Sequence, residues 1–213
     1  MATIVDAKTQ FLTPGPQPNG LQAVADGLWV MDQRDQHIYK LSWSDGTILQ
    51  KAPTIAAHAS GITWDGHHLW LASTYTPQAL IQVDPTTGRE IRRLPSPGVE
   101  TGQGPHGLEW IAGLLWVTVP APVNTTFQLE PASGRVWHQF PAPGTVTHGL
   151  AWDGEALWCA ERRSRTITRY SLAGGVLDEL EVGEGPDPHG LTWFDGRLWY
   201  CDAASRAICT INT

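Results

Sequence analysis

Five stretches of this 213-residue chain follow one template: a polar residue, Gly, an apolar residue, then Leu-Trp eight and nine positions after the Gly. They are Asn19-Gly20-Leu21 with Leu28-Trp29, Ser60-Gly61-Ile62 with Leu69-Trp70, His106-Gly107-Leu108 with Leu115-Trp116, His148-Gly149-Leu150 with Leu157-Trp158, and His189-Gly190-Leu191 with Leu198-Trp199. The glycines stand 41, 46, 42 and 41 residues apart. A period of about 40–45 residues is that of one four-stranded propeller blade. The expected fold is therefore all-β: a five-bladed β-propeller of four-stranded antiparallel blades in a single domain. The blades fall over about 16–56, 57–102, 103–145, 146–185, and 186–213 plus 1–15.

Within a unit the signals are those of strands and turns. Gly149-Leu150-Ala151-Trp152 is a short apolar strand, and Asp153-Gly154 is a hairpin turn. Ile81-Gln82-Val83-Asp84 alternates and ends at Pro85-Thr86-Thr87-Gly88. Nine of the 11 Trp are repeat residues. Trp29, Trp70, Trp116, Trp158 and Trp199 hold one template position; Trp64, Trp110, Trp152 and Trp193 hold a second, with Ala23 in the first unit. Recurrence at fixed positions marks them as core between blades. The fifth unit stops after its third strand, Ala207-Ile208-Cys209-Thr210-Ile211. The N-terminal stretch Ile4–Phe11 is expected to supply the fourth, because Phe11-Leu12-Thr13-Pro14-Gly15 matches the blade ends Leu94-Pro95-Ser96-Pro97-Gly98 and Phe140-Pro141-Ala142-Pro143-Gly144.

Charge and composition exclude some functions. A net charge of −7 argues against binding a phosphate backbone, so no nucleic-acid partner is expected. No apolar run reaches the roughly 20 residues of a membrane span, and the first residues lack a charged segment followed by an apolar one, so a cytoplasmic, non-membrane protein is expected. Cys159, Cys201 and Cys209 lack zinc-ligand spacing and are expected to be reduced, packed thiols.

A closed propeller brings equivalent positions together around its channel. The residue before each template Gly forms one ring: Asn19, Ser60, His106, His148 and His189. The position thirteen later ends the second strand on the same face: Asp32, Ser73, Val119, Glu161 and Asp202. Blade five adds Asp187 in Asp187-Pro188-His189, and blade two adds His58. Imidazoles converging with carboxylates suit a divalent metal, and the three histidines favour a transition metal. The candidate ligands are His106, His148, His189, Asp187, Asp202 and Glu161. The same groups suit acid–base chemistry. Asp32, Asn19, His58, Tyr75 and Arg162 are candidate substrate contacts. Arg162 opens Arg162-Arg163-Ser164-Arg165, which reads equally as a solvated loop or as a clamp on a carboxylate or phosphate.

Leu157-Trp158-Cys159-Ala160-Glu161 and Leu198-Trp199-Tyr200-Cys201-Asp202 resemble the "Leu-Trp-two residues-Glu" strand of the streptogramin B (virginiamycin B) lyase propellers. The resemblance extends to the order His148, then Asp187-Pro188-His189, then Asp202. It implies a magnesium ion held with the help of Asp187 and Asp202, with His189 as general acid/base and His148 assisting, in an elimination that opens a cyclic ester. That family has seven blades and tends to have Glu where this chain has Asp. The repeat is also similar to gluconolactonase-type and glutaminyl cyclotransferase propellers, the plant-type members of the latter being five-bladed. The expected function is a metal-dependent lyase or hydrolase acting on a small-molecule substrate. The alternatives are a non-catalytic ligand- or metal-binding propeller and a protein-interaction scaffold.

Overall fold

The computed structural model describes residues 2–101 and 103–211. Its strands form five sheets, one per repeat. Blade one runs β3 (Pro18–Val24), β4 (Gly27–Asp32), β5 (His37–Leu41) and β6 (Ile48–Pro53). Blade two runs β7 (Ala59–Trp64), β8 (Leu69–Ser73), β9 (Ala79–Val83) and β10 (Glu90–Pro95). Blade three runs β11 (Leu108–Ile111), β12 (Leu114–Val119), β13 (Thr125–Leu129) and β14 (Val136–Pro141). Blade four runs β15 (Thr147–Trp152), β16 (Leu157–Glu161), β17 (Thr166–Tyr170) and β18 (Val176–Val182). Blade five runs β19 (Pro188–Phe194), β20 (Arg197–Asp202) and β21 (Ala207–Ile211), with β2 (Ala7–Leu12) as its outermost strand. Neighbouring strands within these four-strand sets are antiparallel.

The first strands make the ring. β3 touches β7, β7 touches β11, β11 touches β15, β15 touches β19, and β19 returns to β3. The template glycines are what let them meet. A Cβ on Gly61 would lie 2.0 Å from the His106 carbonyl oxygen, and one on Gly107 would lie 2.0 Å from that of His148. A Cβ on Gly149 would lie 2.4 Å from the His189 carbonyl oxygen, and one on Gly190 2.5 Å from the Leu21 nitrogen. Any side chain there would push two blades apart.

Between blades the packing is apolar, and the Trp of each Leu-Trp pair faces the next blade. Trp29 packs with Ile62, Leu69 and Ile81 of blade two, and Trp70 with Leu108 and Leu115 of blade three. Trp158 packs with Leu191 and Leu198 of blade five, where Trp193 stacks on it at 6.5 Å between ring centroids. Trp199 closes the circle against Leu21 and Leu28 of blade one. All three cysteines are free and buried, as expected.

The N-terminal clasp departs from the expectation in one respect. β2 pairs with β21, so the last blade is closed as the sequence indicates. The pairing strand begins at Ala7, however, and Ile4 is not part of it. Residues Thr3–Val5 form a separate strand, β1, that lies parallel on β18 of blade four. Val5 turns its side chain toward the cluster shared by blades four and five. The terminus therefore covers two blade edges, which lowers their exposure to edge-to-edge pairing.

A second polar ring sits one pleat below the glycines. Its members include Gln22, Thr63, Glu109 and Thr192. Thr63 donates to Gln22, Ala23 N–H donates to Thr192, and the Glu109 carboxylate accepts from Trp110 and Trp152 backbone N–H groups at 2.9 and 3.0 Å. Burial pushes the Glu109 carboxyl up to about 7 despite those hydrogen bonds.

Two predictions follow from this packing. A chain lacking residues 2–12 is expected to melt well below the full-length protein by circular dichroism, because both edges are uncovered and blade five is left with three strands; unchanged melting contradicts the clasp. Glu109 binds its proton more tightly folded than unfolded, so its contribution falls as pH rises from about 4.5 to about 7, by roughly 3 kcal/mol in full. In urea titrations across that window, Glu109→Gln is expected to lack the downward slope of stability with pH that this group gives the wild type.

Candidate functional site

The residue before each template Gly starts the innermost strand, so its side chain stands at the rim of the channel. The carbonyl of each ring histidine lies against the glycine of the preceding blade. This narrow closure brings the imidazoles into direct contact. His106 and His148 meet edge to face with centroids 4.6 Å apart, and His148 and His189 lie 4.4 Å apart. They line a cavity of about 300 Å³ together with Asn19, His58, Arg162, Asp187, Gln17 and Gln33.

The hydrogen-bond partners set the tautomers. His106 Nδ1 lies 3.1 Å from the Gly104 carbonyl, and His189 Nδ1 lies 2.9 Å from the Asp187 carbonyl. A carbonyl only accepts, so both Nδ1 atoms carry the proton and both Nε2 atoms keep a lone pair. His148 differs: its Nδ1 is buried and has no partner among the described residues. Asn19 Oδ1, on the other side of the same cavity, is likewise buried and unpartnered. Burial depresses all three imidazoles: His106 to about 4, His148 well below its usual range with help from its two imidazole neighbours, and His189 less, since Asp187 opposes the effect. At neutral pH the ring is therefore uncharged.

Asp187 is the one acid that lines the cavity among the described residues. Its Oδ1 lies 2.8 Å from Arg162 Nε and 3.6 Å from His189 Nδ1. The acids that end the second strands do other work. Asp32 accepts backbone N–H groups of Gln17, Arg34 and Asp35 at 2.6–3.0 Å. Glu161 accepts from Val146 N–H and from the N–H and hydroxyl of Ser164. Burial works against its ionisation, but these bonds hold its carboxyl below the usual range. Asp202 accepts from Asp187, Ala204 and Ser205 N–H groups. In blade two, Ser73 accepts from Ala57 N–H in the same way. This position ties the strand entering each of these blades to the turn leaving it. The blade-end glycines belong to the same device: a Cβ on Gly15 would fall 2.3 Å from Asp32 Oδ2, and one on Gly144 2.0 Å from Glu161 Cγ.

Two further expected contacts lie at the rim. Tyr75 is exposed and stacks on His58 with centroids 3.9 Å apart; it borders a neighbouring cavity with Gln78 and Gln103. Gln17 and Gln33, which the sequence reading did not single out, do line the mouth. Gln17 donates to Gln33, which donates to Ser60. No repeat signal marks them, since the matching positions in other blades hold different residues.

The donor chemistry separates the two metals that were expected. Magnesium prefers several oxygen ligands; here Asp187 is paired with Arg162, and Glu161 and Asp202 are held by backbone amides. Neutral imidazoles with free Nε2 atoms suit a transition metal. Among the described residues, no three His, Cys, Asp or Glu side chains are gathered closely enough to hold an ion.

Fold and site together define a five-bladed β-propeller with an uncharged imidazole cluster at one channel mouth. No protein-family model matches the sequence, and no curated protein sequence matches it. Among solved structures it is similar to glutaminyl cyclase from Myxococcus xanthus, with a TM-score of 0.80 at 13% identity over 100% of this chain and 98% of that one. It is similar to a catalytically inactive virginiamycin B lyase from Staphylococcus aureus with quinupristin, with a TM-score of 0.59 at 19% identity, covering 92% of this chain and 66% of the lyase. A streptogramin B lyase gives a TM-score of 0.58 at 21% identity, with 92% and 64% covered. The chain thus spans about two thirds of the lyases and nearly all of the cyclase. At these identities the likeness is one of fold.

The acid ring generates a prediction. Asp32→Ala is expected to lower unfolding stability by about 2–4 kcal/mol in urea, because it strands backbone donors that are buried or half-buried. Asp32→Asn is expected to cost less, and neither is expected to change ligand binding at the mouth.

Proposed function

We propose that the chain is an enzyme that moves a proton on a small molecule seated in the channel mouth, a lyase or hydrolase of the cyclic-ester or lactone type. The observation that carries this reading is a pair of buried, unpartnered atoms, Asn19 Oδ1 and His148 Nδ1, on two residues that line one cavity. Leaving a buried polar atom unpaired costs about 1–3 kcal/mol. Such groups persist where a ligand or water completes them.

The neighbouring residues suit proton transfer. His189 donates a hydrogen bond from Nδ1–H to the Asp187 carbonyl, which leaves Nε2 as a base in the neutral state. When Nε2 takes a proton from substrate, the Asp187 carboxylate 3.6 Å from Nδ1 stabilises the imidazolium. Arg162 holds that carboxylate in place. His148 packs against the His189 ring and lines the same cavity. The similar folds of virginiamycin B lyase, streptogramin B lyase and glutaminyl cyclase support an enzyme of this general kind.

A second reading is a divalent transition metal bound by His106, His148 and His189. What favours it is the protonation state, with two imidazoles already committed to the Nδ1–H tautomer; the three rings as they stand do not form a ligand set, so binding requires them to turn toward the ion.

Turnover of a panel of lactones and cyclic esters tests the first reading. His189→Gln is expected to lose about 100-fold or more in rate with an unchanged circular dichroism spectrum, and His189→Ala the same if it folds. Full activity in both overturns the assignment. Elemental analysis, run beside a variant with His106, His148 and His189 all changed to Ala, decides the second: a stoichiometric transition metal lost in the variant establishes it, and no metal in either removes it.

A further inference from the structure

The turn between the second and third strands is built alike in several blades. Its last residue adopts a left-handed backbone: Gln36 in blade one, Asn124 in blade three, Arg165 in blade four and Arg206 in blade five, with φ of 58, 48, 57 and 65°. In each case its carbonyl accepts a backbone N–H from the outermost strand or the segment just beyond it: from Thr54, Ala142, Val182 and Thr13. The conformation is architectural and the side chains on it are free to vary. Blade one carries one arginine there, Arg34, and blade five carries one, Arg206. Blades two and three carry none in the matching turns. Blade four carries three, Arg162, Arg163 and Arg165, on a chain whose net charge is −7.

These arginines surround a cavity of about 400 Å³ whose other walls are Val146, Pro186 and Asp187. Val146, Arg162 and Asp187 also line the histidine cavity, so the two adjoin. The charges in the outer cavity are not balanced. Among the described residues Asp187 is its one lining acid, and Arg162 pairs with it. Among the described residues, neither Arg163 nor Arg165 forms an ion pair, and Arg165 Nε is buried with no hydrogen-bond partner. An Nε–H shut away from water without an acceptor has lost hydration with nothing in return.

We propose that this outer cavity is an oxyanion subsite, in which Arg163 and Arg165 bind the carboxylate or phosphate group of a small molecule whose remaining part reaches the histidines. Guanidinium forks match either anion, and neither water nor a surface lysine would be as selective. Val146 and Pro186 give the segment next to the anion an apolar wall. Arg162, held by Asp187, stands where the two cavities meet and sets the direction in which the ligand continues. The inference rests on the reading of the mouth as a small-molecule site and narrows the substrate class to anionic compounds.

The test uses phenyl phosphate, benzoate and benzyl alcohol as probes, titrated into the full-length protein by NMR or calorimetry. Saturable binding is expected for at least one of the two anions, weakening as salt is raised, with benzyl alcohol binding at least 10-fold more weakly. Phosphate-selective or carboxylate-selective binding identifies which anion the site prefers. Combined Arg163→Gln and Arg165→Gln is expected to cut anion affinity at least 10-fold, and Arg163→Gln alone, should the double variant misfold, by about 3-fold or more. His189→Gln is expected to leave anion binding intact, so failure of the proton-transfer reading does not disturb this result. Absence of anion binding, equal binding of the neutral probe, or undiminished binding in folded arginine variants overturns the proposal.

Discussion

The structure depends on backbone-to-backbone contact of five glycine-bearing strands around one axis. With only five blades the circle is small, and there is no room for a Cβ between Gly61 and the His106 carbonyl, or between Gly107 and that of His148. The apolar wedges between blades, filled by the template Trp and Leu residues, press the strands into this contact. Everything at the channel mouth inherits its spacing from it. The residue before each glycine cannot move away from its neighbour, so three histidines at that position must touch.

That contact explains the electrostatics of the mouth. Three imidazoles in a closed, largely desolvated ring cannot all carry charge, and burial drives each toward its neutral form. Asp187, the one acid that lines their cavity among the described residues, is itself balanced by Arg162. The result is an uncharged donor–acceptor cluster beside a turn rich in cations. Blades one and two contribute a different chemistry: Gln17, Gln33, Ser60 and Thr74 bond to one another and to the Pro105 carbonyl, which stiffens that side of the rim. The histidines and most of the arginines at the mouth are therefore on the side of blades three to five.

Comparing the five units as a sequence made the fold legible almost completely. The glycine spacing gave the blade count, the Leu-Trp pairs gave the inter-blade core, and the unfinished fifth unit gave the N-terminal clasp. The split of that clasp at Asp6 was not visible, because Thr3–Val5 has no internal signal for the parallel partner it finds on β18. The histidine ring was legible for the same reason as the fold, since it is a template position. The bonding of the acids was not legible. Asp32, Glu161 and Asp202 end their strands on the face the histidines open, which predicts that they join the cavity. Both oxygens of Asp32 and Glu161, and Oδ1 of Asp202, instead accept N–H groups of the adjoining loops.

The sequence by itself determined the number of blades, the identity of the wedges between them, and which residues encircle the axis, because each of these is written as a repeat and a repeat must close on itself. Tertiary structure alone decided which polar atoms are satisfied. Whether a carboxylate is a ligand or a loop tie depends on which N–H groups the loops bring within 3 Å, and no spacing encodes that. The same holds for Arg163 and Arg165: a string of arginines in the sequence became a cavity wall only when the turn of blade four was set against Val146 and Pro186.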